Sequence, residues 1–320
     1  MALALTSAAA ALATLTGCVT VHGEREIVPA VTKADAAKAL KQFTNGFNKA
    51  NRTLDPAVTP SYESDALLTI DRAGLKASRA ANPQGNPNAR PLTFSDPHFT
   101  VPKQAGWPRF FLADAVTNRQ DRRGQDARWF LVFSRSAPDA PWRAVYLASL
   151  AGDQVPRFRT DADGFAEPVP GDGSGLVVDP AGLSKAYTDY LRTGKGDLFA
   201  PGPRTDAWRR DRDAKSRTLG SQIQYVDQPA RFAPVALRTA DGGALVFFAS
   251  YYHQQKTVSE GSMMQVSPQV QGVMDKPVEQ AQKITLTNLS AQVVKVPAKS
   301  AGGKVAVLNY IESRTSAKVP

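Results

Sequence analysis

The order of hydrophobic patterns along this 320-residue chain predicts an α+β fold made of two tandem modules, each with helices first and an antiparallel sheet after them. Three observations carry the prediction. Helical apolar stripes open each half, β-rich runs separated by turn residues close each half, and a Gly/Pro/Asp-rich stretch at 160–178 lies between them.

In the first module, residues 31–159, Thr32 with Asp35 forms a capping-box signature, and Ala36, Leu40, Phe43, Phe47 and Ala50 follow on one helical face. A second helix is expected to start at Ser64-Asp65-Ala66-Leu67. Runs at 110–116, 128–134 and 142–150 are rich in β-branched and aromatic residues and read as strands. The second module, residues 179–316, repeats this plan. Asp179-Pro180 supplies an N-cap with proline at the first helical position, and Leu183, Ala186, Tyr187, Tyr190 and Leu191 form a stripe that Gly194 ends. Thr205-Asp206-Ala207-Trp208 then matches Ser64-Asp65-Ala66-Leu67, as Lys185-Ala186-Tyr187 and Tyr190 match Lys38-Ala39-Leu40 and Phe43. Strands are expected at 235–239, 244–254, 284–296 and 304–313, with Asp241-Gly242-Gly243 as a hairpin turn. An inserted arm at 255–282, rich in Gln, Ser, Val and Met, has no counterpart in the first module and is read as a long hairpin, a loop or a partner contact.

The amino terminus carries the sharpest motif. An uncharged, Ala/Leu-rich run ends in Leu15-Thr16-Gly17-Cys18, and Cys18 is the single cysteine of the chain. The run is too short to span a bilayer, which takes about 20 apolar residues, and it is an export-signal core in character. Its charged n-region is missing, so the natural start codon is expected upstream. The motif resembles the lipobox of bacterial lipoproteins. That resemblance implies cleavage between Gly17 and Cys18, removal of residues 1–17, a diacylglycerol on the Cys18 thiol, often with a further acyl chain such as palmitate on the new amino terminus, and a tether at 18–30. The implied address is the outer face of the cytoplasmic membrane. One acyl chain holds marginally and two or more hold firmly, so the implied membrane partner is permanent.

Helices followed by a sheet, twice over, resembles the tandem NTF2-like (cystatin-like) modules of exported actinobacterial lipoproteins. Such modules enclose a cone between helices and sheet, and the resemblance implies a cavity in each half. Fold alone does not choose a function for it. Tyr187, Tyr190 and Trp208 are the residues expected to line a small-molecule pocket in the second half.

Charge and composition narrow the partners. The 39 Lys and Arg against 29 Asp and Glu give a net charge of +10, yet no nucleic-acid motif accompanies it. An anionic wall polymer, an anionic lipid or an envelope protein is the expected partner. The alternating signs of Asp206, Arg209, Arg210, Asp211, Arg212, Asp213 and Arg217 read as a solvated helix face.

No catalytic set emerges. The P-loop, nucleophile-elbow, Ser-x-x-Lys and His-Glu-x-x-His templates are absent. The three histidines, His22, His98 and His253, show no metal-ligand spacing. Asp161-Ala162-Asp163-Gly164 lacks the terminal glutamate of a calcium loop and reads as linker. No cofactor is expected. The sequence therefore leads to a non-catalytic binding or scaffolding lipoprotein. Its alternatives are a hydrolase or isomerase with a site in one cone, for which Asp96 and His98 are the candidate pair, and an accessory subunit bracing an envelope complex through the 255–282 arm.

Overall fold

A computed structural model describes residues 26–120 and 126–320; Gly17, Cys18, His22 and the cleavage site lie outside them. Helix α1 spans Lys33–Thr53 and α2 spans Asp65–Ala81. Strands β1 (Phe94–Thr100), β2 (Arg109–Gln120), β3 (Asp126–Arg135) and β4 (Arg143–Leu150) form an antiparallel sheet in that order. In the second half α3 spans Leu183–Thr193 and α4 spans Asp206–Lys215. Strands β5 (Ser221–Pro229), β6 (Val235–Arg238), β7 (Ala244–Val258), β8 (Lys283–Val296) and β9 (Ala306–Lys318) follow. The large sheet runs β9-β8-β7-β5, with β6 pairing the start of β7 and Arg217–Thr218 extending the β5 edge. The fold is thus mixed α+β with antiparallel main sheets.

Most predicted elements begin where local chemistry starts them. The Thr32 side chain accepts the Asp35 amide at 3.1 Å and caps α1. Gly194 ends α3 in the left-handed region, its amide bonded to the Tyr190 carbonyl. At Asp241-Gly242-Gly243 the Asp241 carboxylate accepts from Thr239 Oγ1 and the Gly243 amide, and this hairpin joins β6 to β7. Asp179 differs from expectation. It accepts the Gly173 and Ser174 amides of the loop before it, and α3 starts after a short 3-10 turn at Pro180–Gly182.

Alternation along the strands divides the core into layers. Phe111, Ala113, Leu131 and Phe133 face α1, where Leu40 and Phe43 meet them. Their neighbours Leu112, Phe130, Val132 and Val145 face the other way, into one cluster with Leu245, Phe247, Ala249, Leu289, Ala291 and Val293 of the large sheet. On the far side of that sheet, Val246, Phe248, Val294 and Val296 pack on Leu183, Tyr187 and Leu191 of α3. The sheets therefore lie face to face between helices, and their central strands are buried on both surfaces, which is why those strands read as near-continuous apolar runs. Burying each large side chain contributes roughly 1.5–3 kcal/mol, so this shared layer ties the halves together. Tyr146 adds a polar tie, its hydroxyl donating to the Ala233 carbonyl at 2.8 Å.

The stretch 160–178 is hydrogen-bonded along its length. Arg159 and Val169 amides donate to the carbonyls of Arg238 and Ala236 at 2.9 and 3.0 Å, and Val177 donates to Pro297. In the Asp161–Gly164 turn, Lys103 Nζ bridges Asp161 and Asp163 at 2.8 and 2.7 Å, so an ammonium lies between the two carboxylates.

The 255–282 arm is a hairpin extension of β7 and β8 that carries one helical turn, Pro268–Gln271 (α5). Val266, Val273 and Ala281 pack with Ala73 of α2 and Ala317 of β9. Gly272 lies against α2 so closely that an added Cβ would sit 2.6 Å from the Lys76 carbonyl oxygen and 2.7 Å from the Ala80 methyl. The arm thus grips the first half. Among the described residues no helix is long and apolar enough to cross a membrane.

Candidate functional site

The helix-facing side of the large sheet changes character along its length. Where α3 covers it, it is apolar; where α4 covers it, β7 and β8 present Ser250, Ser290, Gln292 and Asn288, each at most 6 % exposed. One row crosses four strands: Asp227 on β5 pairs in register with Tyr252 on β7, Tyr252 with Asn288 on β8, and Asn288 with Arg314 on β9. Side chains paired in register stand on one face of a sheet. This row is the floor of the site.

The roof comes from α4 and the residue before its cap. Trp208 and Arg212 are four residues apart and share an inward helix face. The Arg212 guanidinium lies 4.7 Å from the Trp208 ring centre, 4.8 Å from that of Tyr225 and 5.0 Å from that of Tyr252. Arg204 lies 4.4 Å from Trp208 and 3.6 Å from Tyr310. Trp208 meets the Tyr252 ring edge-on at 5.9 Å. Guanidiniums over aromatic faces are attracted by the ring quadrupole, more so when water is excluded. Arg204 and Arg212 are only 7 % and 5 % exposed.

Each roof arginine has one carboxylate. Arg212 Nη1 donates to both Asp227 oxygens at 2.8 Å, and Arg204 Nη2 donates to Glu312 at 2.7 Å. Burial pushes the Asp227 carboxyl up and the facing Arg212 opposes it. Arg314 is pushed down by burial. These pairs leave donors over. Trp208 Nε1, Arg204 Nε, Arg212 Nε and Nη2, Asn288 Nδ2 and Arg314 Nε are buried with no acceptor on the protein. Beside Arg212 a cavity of about 210 Å³ is lined also by Arg192, Arg209, Tyr225 and Asp227.

The first half holds a contrasting pair. Glu63 is fully buried and neither of its oxygens has a donor, and the carboxyl of Asp71 on α2 is its polar neighbour. Burial, together with the Asp71 charge, pushes Glu63 well above the carboxylate range, and burial raises Asp71 also. Both shifts favour the neutral acid, so Glu63 is held protonated while buried near a second carboxyl. Asp71 lines a cavity of about 320 Å³ with Phe47, Asn51, Tyr62 and Ser313. Gly46 makes room for Tyr62, whose ring lies 2.2 Å from where a Cβ would stand.

The residues singled out in the sequence separate here. Tyr187 is 1 % exposed, packs edge-on to Phe199 and Phe248, and donates its hydroxyl to the Arg204 carbonyl at 2.6 Å. Tyr190 packs on Phe199, 5.9 Å from the Arg209 guanidinium. Trp208 alone of the three joins the donor cluster. Asp96 and His98 lie exposed on edge strand β1, held by Arg128, which donates to Asp96 and Asp114 and contacts His98 Nδ1 at 2.8 Å. The Arg128 hydrogen bond pulls Asp96 below its usual range. His253 Nδ1 and Nε2 lie 3.0 Å from Thr287 Oγ1 and Gln228 Oε1.

The charge alternation on α4 was expected to be solvated. It is so for the Asp206–Arg210 and Asp211–Lys215 pairs, but Arg212 turns inward with Trp208. The four-residue spacing from Trp208 was the available signal. Asn288 had none, being one polar residue in an alternating strand. Among the described residues no three His, Cys, Asp or Glu side chains are grouped to hold a metal ion.

Residues 27–319 match the family described as Domain of unknown function (DUF8094). The chain belongs to this family. It is 44 % identical to an uncharacterised lipoprotein of Streptomyces coelicolor, over 98 % of this chain and 94 % of that protein. A lipoprotein of Streptomyces avermitilis is 40 % identical over 99 % of this chain and 95 % of its own length. A second S. coelicolor lipoprotein is 26 % identical over 91 % and 83 %. The relatives thus carry by name the class that Leu15-Thr16-Gly17-Cys18 implies. No solved structure matches the chain significantly.

Proposed function

We propose that this protein is a lipid-anchored, non-catalytic binding protein on the outer face of the cytoplasmic membrane. Its body is two NTF2-like modules, at 31–159 and 179–316, and its ligand seat lies between α4 and the large sheet. One observation carries the reading: six donor atoms gathered around Trp208 and Tyr252 have no acceptor on the protein. A buried donor left unpaired costs about 1–3 kcal/mol, so a complementary ligand recovers that cost on binding. The two carboxylates beside the seat, Asp227 and Glu312, are both engaged by arginines, which leaves them without the freedom of a base.

Anchoring rests on the lipobox and on the names of the relatives. In the producing cell, Cys18→Ala is expected to abolish labelling by a fatty-acid analogue and to leave the chain unprocessed or released; unchanged labelling rejects the anchor. For the seat, native mass spectrometry of the protein from those cells is expected to show a bound small molecule that Trp208→Leu loses. A second reading, a hydrolase or isomerase, is favoured by two carboxyls with raised pKa, Glu63 and the cavity-lining Asp71. Turnover abolished by Asp71→Asn and retained by Trp208→Leu would select it.

A further inference from the structure

We infer that the seat beneath α4 takes a small organic acid bearing a single carboxylate, with an aromatic or other flat apolar body. This rests on the reading of the second half as a binding module and names the chemistry of its ligand.

Charge comes first. Within the site three guanidiniums, of Arg204, Arg212 and Arg314, face two carboxylates, of Glu312 and Asp227. Arginine stays protonated in proteins, so the cluster cannot lose its excess positive charge by deprotonation. One negative charge closes the balance. A dianion would leave the buried site net negative, and a neutral ligand would leave it net positive, each at the cost of an uncompensated charge away from water.

Hydrogen bonding narrows it further. The unpaired atoms are all donors, and five of the six are planar N–H groups of arginine or tryptophan, with the Asn288 amide as the sixth. An ionised carboxylate is acceptor-only, offers about four lone-pair sites in one plane, and matches a guanidinium edge. Arg212 is the anchor of choice because it alone of these residues lines the cavity and keeps two of its nitrogens unpaired.

Shape supplies the rest. Trp208, Tyr225 and Tyr252 surround the Arg212 guanidinium within about 5 Å; of these Tyr225 lines the cavity, with Leu191 and Ile223, so a flat body attached to the carboxylate meets an aromatic and aliphatic wall. The cavity of about 210 Å³ holds a single ring with its carboxylate, and Arg192 and Arg209, set against the one further acid Asp213, leave its lining net positive, which favours the approach of an anion.

The test is calorimetric titration of the full-length, detergent-solubilised protein with benzoate, its neutral isostere benzamide, and phenyl phosphate. Benzoate is expected to bind about 10-fold or more tightly than benzamide, the range of a hydrogen-bonded charge. Arg314→Gln removes the excess charge and Asn288→Asp adds a repelling one, and each is expected to weaken benzoate by about 10-fold. Circular dichroism and unchanged melting identify variants that fold. Phenyl phosphate binding more tightly than benzoate, or benzamide binding equally well, overturns the monocarboxylate assignment and leaves the binding module standing. No heat from any of the three, with native mass spectrometry also showing no bound molecule, overturns both.

Discussion

Glu63 and Asp71 in the first half stand where Arg204 and Arg212 stand in the second. The helices α2 and α4 begin at Asp65 and Asp206, after Ser64 and Thr205, so the residue before each cap and the seventh helical residue correspond. One half fills these positions with acids and the other with bases. The outcome differs because the two charge types relax differently. A buried carboxyl can take up a proton, and burial drives Glu63 to its neutral form. A guanidinium cannot give one up. Arg204 and Arg212 must instead recruit Glu312 and Asp227, and the donors that these fail to reach remain over. The same two positions thus hold a protonated acid in one half and arginines with donors left over in the other.

The largest expected effect comes from removing a recruited partner. Asp227→Ala strands Arg212 in a buried site and is expected to lower unfolding stability by about 3–5 kcal/mol in denaturant titration. A loss under about 1 kcal/mol would mean that Arg212 reaches water and that the contrast between the halves is overstated.

Glu63→Gln probes the other half. A carboxyl whose folded pKa lies above its unfolded value adds stability below the unfolded value, and that stability is lost as pH rises. The parent protein should therefore lose stability upward from about pH 5, and Glu63→Gln should flatten that slope and be more stable at pH 8 by about 1–3 kcal/mol. Identical pH profiles would show that Glu63 is not held protonated in the folded protein.

The smallest effect separates the helices themselves. The arm grips α2, while α4 has no such clasp. Gly272→Ala forces a methyl against Lys76 and Ala80 and should cost about 1 kcal/mol. Amide exchange should then quicken in α2 and stay unchanged in α4. Equal quickening in both would mean that the arm steadies the whole body.

The helices and the long apolar strands were legible because their signals are local: caps at Thr32 and Gly194, the turn at Asp241-Gly242-Gly243, and stripes of period 3.6 or runs of β formers. Strand β1 was missed because Asp96-Pro97 breaks its pattern, and pairing skips from Ser95 to His98. Strand β5 was missed although Ile223 and Tyr225 alternate with Gln222 and Gln224, since its outer positions are polar and it carries only a weak apolar face. The site was half legible. Trp208 drew attention as an aromatic, but Arg204, Arg212, Asn288 and Arg314 come from four separate elements or loops, and their convergence depends on strand register. The face-to-face packing of the sheets is a long-range property of the same kind: apolar runs show that both faces are buried, not what covers them.

Val28–Pro29 pairs with Lys103–Gln104, and the Ala30 amide bonds the Pro102 carbonyl. This fixes the point from which the body hangs. Under the proposed anchor at Cys18, ten Cα-to-Cα steps lead from the lipid to that pairing, and even a fully stretched chain of this length reaches only about 33–36 Å. Such an anchor would confine the folded mass to a shell about one domain diameter deep, so that the ligand of the proposed seat would be met beside the headgroups rather than out in the wall.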